Sequence, residues 1–273
     1  MKNDRETKTL LSEKREAEYV GEDGLRYCGI CHEPREKVVP GLLSLFGTDR
    51  RPRLCRCQQT LLEAQEQEER ERKKQERILR LRELCFQGAS LADATFAGST
   101  VDSPPLERCR RYAEAWAEAC EAHIGLLLWG PPGTGKSFAA ACVANHLLQQ
   151  EIPVRMIKLT QLLNCGFRER EDTLCQLLRV PLLIIDDYGM ERETEYSLEI
   201  IFSLLDGRME SGRPLILTTN LTLEELRNPT DLSHARIYER IRSQTVPVCF
   251  PGESLRKRTE KASMEKMKEI LSK

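Results

Sequence analysis

A chain of 273 residues has room for one full α/β domain and a smaller appendage, because domains commonly hold about 100 to 200 residues. Its 42 basic and 43 acidic residues nearly cancel, so contact with nucleic acid or a membrane surface must come from local patches, not from a global field. The opening MKNDRETKTLLSEKREAEYV lacks the apolar stretch of a signal peptide, and no apolar run approaches the ~20 residues that span a bilayer; a cytoplasmic chain without membrane contact is expected.

The first ~25 residues are polar and mixed in charge, which suits a frayed helix or a partner-binding tail. A compact segment from Cys28 to Cys57 follows. In a reducing compartment a cluster among eleven cysteines points to metal, not to disulfides. Cys28-x-x-Cys31 and Cys55-x-Cys57 form two close pairs separated by 23 residues, a loop that closes easily around one tetrahedral Zn²⁺. His32 competes for a coordination place, but adjacent residues rarely ligate one ion comfortably, so four thiolates are favoured. Zn²⁺ is favoured over an iron–sulfur cluster or free thiols. So short a segment has little core, and its fold is expected to depend on the ion. The other cysteines (Cys85, Cys109, Cys120, Cys142, Cys165, Cys175 and Cys249) are scattered singly and read as small, mostly buried hydrophobes.

From Gln58 to Glu83 the chain is rich in helix formers, free of Gly and Pro, and interleaves acids with bases. Its apolar content is too thin for a heptad seam, so a solvated linker helix of ~40 Å is preferred to a coiled coil. Residues 88–105 read as a loop-rich entry to the main domain. Leu106, Cys109, Ala113, Trp116, Ala117 and Cys120 recur at helical spacing and predict a helix over Leu106–His123. Five short apolar runs, GLLLWG, IPVRMIKL, PLLIIDD, RPLILTTN and TVPVCF, then alternate with helical stretches. That alternation predicts a parallel sheet covered on both faces, a three-layer α/β core.

Gly130-Pro131-Pro132-Gly133-Thr134-Gly135-Lys136-Ser137 fits G-x-x-x-x-G-K-[ST], a pattern met by chance in on the order of one in a hundred chains this long. It follows a strand and opens a helix, the placement its mechanism requires. Backbone N–H groups would wrap phosphates, Lys136 would pair the β/γ oxygens, and Ser137 would reach Mg²⁺. Asp186 and Asp187 end an apolar strand facing this loop, so Asp186 is placed to hold the Mg²⁺ shell and Asp187 to polarise the attacking water. Asn220 ends a further strand at the same sheet edge and can orient that water. In HARIYERIRSQ, Arg236, Arg240 and Arg242 lie on or near one helix face.

The order GPPGTGKS, LLIIDDYG, LTTN, RIYERI, PGESLRKR resembles the DnaC/DnaI/IstB group of AAA+ ATPases over roughly residues 90–258. The resemblance implies that Asp186 and Asp187 are the Walker B pair, Asn220 is sensor 1 and Arg240 is the finger that completes a neighbour's site; Arg256 occupies the place of a further basic residue near the nucleotide. Asp187 stands where most AAA+ enzymes have Glu and reaches less far, so hydrolysis is expected to be slow. After VPVCF about twenty residues remain, which implies a reduced lid. The implied organisation is a zinc-binding partner-docking module (1–57), a charged helical linker (58–87) and an AAA+ ATPase domain (88–273). The implied function is ATP-, Mg²⁺- and Zn²⁺-dependent loading of a replicative DNA helicase onto single-stranded DNA, with self-association through the ATP site. Some DnaI-like loaders carry such a zinc module, whereas IstB proteins generally do not. The alternatives are a transposition ATP-binding protein that acts on duplex DNA with a transposase, and an ATP-gated adaptor with little turnover. For DNA contact the candidates are DRRPRLCR, the basic C-terminal segment and Phe167-Arg168-Glu169-Arg170.

Overall fold

The computed structural model describes residues 18–40, 48–87, 91–99, 103–190, 194–255, 264, 267, 268, 270 and 271. The N-terminal tail, Arg256 and most of the C-terminal segment therefore lie outside the described residues. The chain divides into two compact units, Met1–Gln75 and Glu76–Lys273.

In the first unit β1 (Glu18–Val20) pairs antiparallel with β2 (Arg26–Cys28), and β3 (Glu36–Val38) with β4 (Arg50–Pro52). Among its described residues the only buried apolar side chains are Cys28 and Cys55, and Glu36 is buried beneath the guanidinium of Arg26. Among these described residues two thiols and a carboxylate are no hydrophobic core, and an ion held by the thiols would supply closure that apolar burial there does not.

Helix α1 (Arg56–Phe86) opens with the last cysteine pair. Up to Arg77 it is largely exposed and carries Arg70–Glu66, Arg72–Glu69 and Lys73–Glu69 ion pairs at one-turn spacing, as a solvated helix should. Its last turns depart from the expected linker. Ile78, Cys85 and Phe86 are buried, and the latter two join the core of the second unit, because an apolar face appears there that the charged run lacks.

The helix expected over Leu106–His123 is broken. Helix α2 (Pro104–Glu114) starts with Pro just inside Ser103, where a missing N–H costs nothing, and ends at Ala115, whose φ −91° and ψ 25° are not helical; α3 (Trp116–Glu121) follows. The five expected strands form as β5 (Gly125–Trp129), β6 (Val154–Lys158), β7 (Leu182–Tyr188), β8 (Leu215–Thr219) and β9 (Thr245–Cys249), all parallel in the order β6-β7-β8-β5-β9. Strand alternation divides the core. Leu126, Leu128, Ile184 and Ile216 pack beneath α2 and α4 (Lys136–Gln149), while Leu127, Leu183, Ile185 and Leu217 face α5 (Leu159–Asn164), α6 (Phe167–Arg179), α7 (Glu195–Glu210) and α9 (Leu232–Gln244). A short α8 (Leu223–Arg227) links β8 to α9.

Of the singly scattered cysteines, Cys85, Cys109 and Cys142 are buried, but Cys120, Cys165 and Cys249 are partly exposed and Cys175 is exposed. The expected buried majority is not found, because those four sit at element ends or on solvent-facing turns of helices. No described helix is long and apolar enough to cross a membrane.

Arg208 on α7 is wholly buried, and its guanidinium donates to the carbonyls of Leu177, Val180, Pro181 and Pro214 at 2.5–3.2 Å. It ties the end of α6 and the entries to β7 and β8 together, and burial draws its pKa down to about 10. Arg208→Ala would strip those carbonyls of this donor and leave a cavity beside them. It should cost ~3 kcal/mol or more and lower Tm by roughly 6–12 °C in a thermal melt, and a Tm within 2 °C of wild type would refute this tie.

Candidate nucleotide-binding site and thiolate cluster

The loop between β5 and α4 is shaped by glycine. At Gly130 φ is 138° and an added Cβ would stand 2.4 Å from the Phe250 carbonyl oxygen; Gly135, with φ 98°, turns the chain into α4. Lys136 is buried at 6% exposure, and its Nζ donates to Gly130 O (2.7 Å), Pro131 O (2.7 Å) and Asn220 Oδ1 (2.9 Å). The amine is thus fixed at the carboxyl ends of β5 and β8, where ligands of open α/β sheets bind.

Adjacent strand residues should point to opposite faces, yet Asp186 and Asp187 both line the cavity beside Lys136 and Ser137. The register of β7 on β8 slips between Ile185 and Tyr188, and Asp187 has φ 56°, so a bulge swings the second carboxylate round. Thr218 on β8 holds it: its hydroxyl donates to Asp186 Oδ1 (2.8 Å) and accepts from the Asp187 N–H (2.9 Å). Asp186 is buried, and Asp187 is partly exposed.

Lys158, a residue that sequence reasoning missed, sits in register with Asp186 at the end of β6. Its Nζ lies 2.7 Å from Asp187 Oδ2 and 3.8 Å from Asp186 Oδ2. A cation on both carboxylates competes with a divalent ion for them. Only the pairing of β6 with β7 places it there, and no motif spacing signals it.

The cavity holds about 620 Å³ and is lined by these polar groups and by the apolar side chains of Phe86, Leu91, Phe138 and Met156. A smaller cavity of about 160 Å³ also borders Gly135 and Phe138 and is lined further by Pro104, Leu106 and Phe250. A cavity with convergent polar groups and a second, partly apolar one that share this loop suit a nucleotide.

Arg240 does not line the cavity. Its Nε donates to Asp206 Oδ1 (2.6 Å) on α7 and its guanidinium lies 5.7 Å from the Phe202 ring centre, while Arg236 and Arg242 are exposed. Phe167 is exposed, as a stacking residue must be, but Arg170 is not available to phosphate. It donates to the carbonyls of Leu162, Leu163 and Cys165 and to the Tyr196 hydroxyl, capping α5 and tying α6 to α7.

In the first unit the Sγ atoms of Cys28, Cys31, Cys55 and Cys57 all lie within 4.8 Å of one another. Tetrahedral Zn–S bonds of ~2.3 Å separate sulfurs by about 3.8 Å, so the donor set fits that ion. The Glu33 backbone N–H draws Cys31 down to about 6, the neighbouring Cys31 pushes Cys57 up to about 11, and burial pushes Cys55 up. His32 stands apart: it is exposed, has φ 55° and places Nδ1 3.1 Å from the Tyr19 hydroxyl.

Comparison with known proteins gives a consistent result. The replicative helicase loader DnaC of Escherichia coli K12 is 32% identical over 163 residues, 56% of this chain and 63% of that protein. The replicative helicase loader DnaI of Bacillus subtilis 168 is 28% identical over 147 residues, 48% of this chain and 47% of that protein. The chain thus spans less than two thirds of the length of these curated relatives. The crystal structure of DnaI superposes with a TM-score of 0.54 at 23% identity, covering 60% of this chain and 95% of that one, which shows a shared fold. The family model described as IstB-like ATP binding protein matches residues 56–263, so the chain belongs to the IstB-like ATP-binding proteins, with three of its four clustered cysteines preceding the matched span.

Proposed function

We propose that this protein loads a replicative DNA helicase onto single-stranded DNA in an ATP-dependent step. One observation carries the reading: Lys136, Asp186, Asp187 and Asn220 converge from three strand ends on one cavity, in a chain whose relatives are named replicative helicase loaders. Ser137 and Asp186 would hold Mg²⁺, which when bound neutralises phosphate charge. Lys136 moves from the loop carbonyls to the β/γ oxygens, and Asp187 and Asn220 orient the attacking water. Asp187 must leave Lys158 to do so, which supports slow, partner-stimulated turnover. Arg240, held at its Nε by Asp206, completes the site of the next subunit, and Arg256 adds positive charge near the nucleotide. The thiolate cluster, with Zn²⁺, forms the module that docks on the helicase.

The test is subunit mixing. Arg240→Ala and Lys136→Ala proteins, each folded and each inactive alone with helicase and single-stranded DNA present, should recover hydrolysis when mixed, because one supplies the phosphate loop and the other the arginine. No recovery removes the shared site. The family match favours a second reading, transposition on duplex DNA, which ATP-dependent assembly on duplex without helicase capture would select. The Lys158 contacts favour a third, an ATP-gated adaptor, which retained ATP binding with no turnover under any condition would select.

A further inference from the structure

The β3–β4 ribbon has an unusual register. Lys37 stands directly opposite Arg51, and the ladder continues one residue further at each end, with the Arg53 N–H on Arg35 O (2.7 Å) and the Val39 N–H on Asp49 O (2.8 Å). Directly opposed residues of an antiparallel pair share a face, so Arg35, Lys37, Arg51 and Arg53 lie together. The intervening Glu36 faces the other way, is buried and is bound by Arg26. Lys37, Arg51 and Arg53 are exposed, Arg35 is paired with Glu18, and Asp49 closes the far end of the face.

Like charges set directly opposite each other weaken a ribbon. A polyanion laid along the face offsets that repulsion. Along each strand the cations repeat every ~6.8 Å, on the order of the phosphate spacing of an extended nucleic-acid strand. The same unit carries an exposed aromatic platform. Tyr19, 44% exposed, stacks on Tyr27 with centroids 5.7 Å apart and planes 20° from parallel. Base stacking combined with a cationic track is the way single strands are held without sequence preference.

We propose that this face of the β3–β4 ribbon contacts the phosphates of single-stranded nucleic acid, giving the N-terminal unit a strand-binding role of its own. The contact does not depend on the ATP site. Each cation that neutralises a phosphate releases a counterion, so its loss reduces the slope of log K against log salt by about 0.7. The experiment is fluorescence anisotropy of labelled oligothymidine with the full chain, without nucleotide, over a salt series. Lys37→Gln should reduce the slope by about 0.7, and Lys37→Gln/Arg51→Gln/Arg53→Gln by about 2.1, with ATP binding unchanged. Tyr19→Ala should weaken binding about fivefold or more at an unchanged slope.

A triple variant with wild-type slope and intact zinc content overturns the proposal. So does a triple variant that loses zinc while Lys37→Gln keeps the wild-type slope, since the arginines are then counter-ions of the thiolate cluster. Tighter binding of duplex, or equal binding of a polyglutamate peptide with the same response to the substitutions, assigns the face to another partner and also overturns it.

Discussion

Lys136→Ala should lower kcat/KM for ATP hydrolysis by about a hundredfold or more while leaving the fold intact. The side chain is buried, and its amine is the only cation the loop itself contributes to the phosphate end of the cavity. Removing a preorganised donor from a site where charge must be stabilised costs on the order of 10²–10³ in rate. Three oxygens now bonded by the amine, Gly130 O, Pro131 O and Asn220 Oδ1, lose that partner, and each can turn to water because the cavity is open to solvent. The stability cost should therefore stay near ~1 kcal/mol, the value of an ordinary net hydrogen bond. Lys136→Arg should not rescue, since Nζ sits at 2.7 Å from two loop carbonyls and leaves no room for a planar guanidinium. Steady-state hydrolysis with helicase and single-stranded DNA, read beside equilibrium ATP binding and a thermal melt, decides it. Hydrolysis within threefold of wild type would remove the phosphate-binding role of this loop.

Much of this site was legible because its chemistry is local. A glycine-rich loop between an apolar strand and an alanine-rich helix announces itself in one short stretch, and the five strands could be read from runs such as LLLW and LLII that are buried on both faces. What stayed hidden depends on pairing between distant segments. The bulge that turns Asp187 toward Asp186 needs Thr218 from the neighbouring strand, and Lys158 meets both carboxylates only because β6 lies in register with β7. Arg208 carries no motif signal, because the carbonyls of Leu177, Val180 and Pro181 that it bonds lie about thirty residues earlier, and Arg170, a candidate for DNA contact, is instead claimed by carbonyls of the preceding helix end. Helix α1 departs from a solvated linker at one end for the same reason. Its charge pattern is continuous, and the burial of Cys85 and Phe86 comes from a core assembled much later in the chain.

Cys55→Ser should release the metal and unfold the N-terminal unit while the ATP site survives. Cys55 is fully buried, and with Cys28 it makes up the whole apolar interior of the described residues of that unit. Four short strands paired two by two cannot hold themselves together by area burial alone. Binding of a structural Zn²⁺ supplies apparent free energies of about 10–16 kcal/mol in comparably small modules, which is folding energy outright. A serine oxygen is a poor ligand for that ion, and buried in the place of a thiolate it also loses its hydration. Purified wild-type protein should contain about one zinc per chain, and Cys55→Ser well under half of that. Limited proteolysis should then cut between residues 18 and 57 in the variant and not in the wild type, while both proteins bind ATP equally; under the docking role proposed above, only the wild type captures the helicase. Because His32 is tied to Tyr19, away from the thiols, His32→Ala should keep its zinc, which separates a four-thiolate site from one that borrows the imidazole. Wild-type protein prepared without chelator that holds no zinc, or a Cys55→Ser unit as protease-resistant as the wild type, would show that the four sulfurs converge for some reason other than a metal.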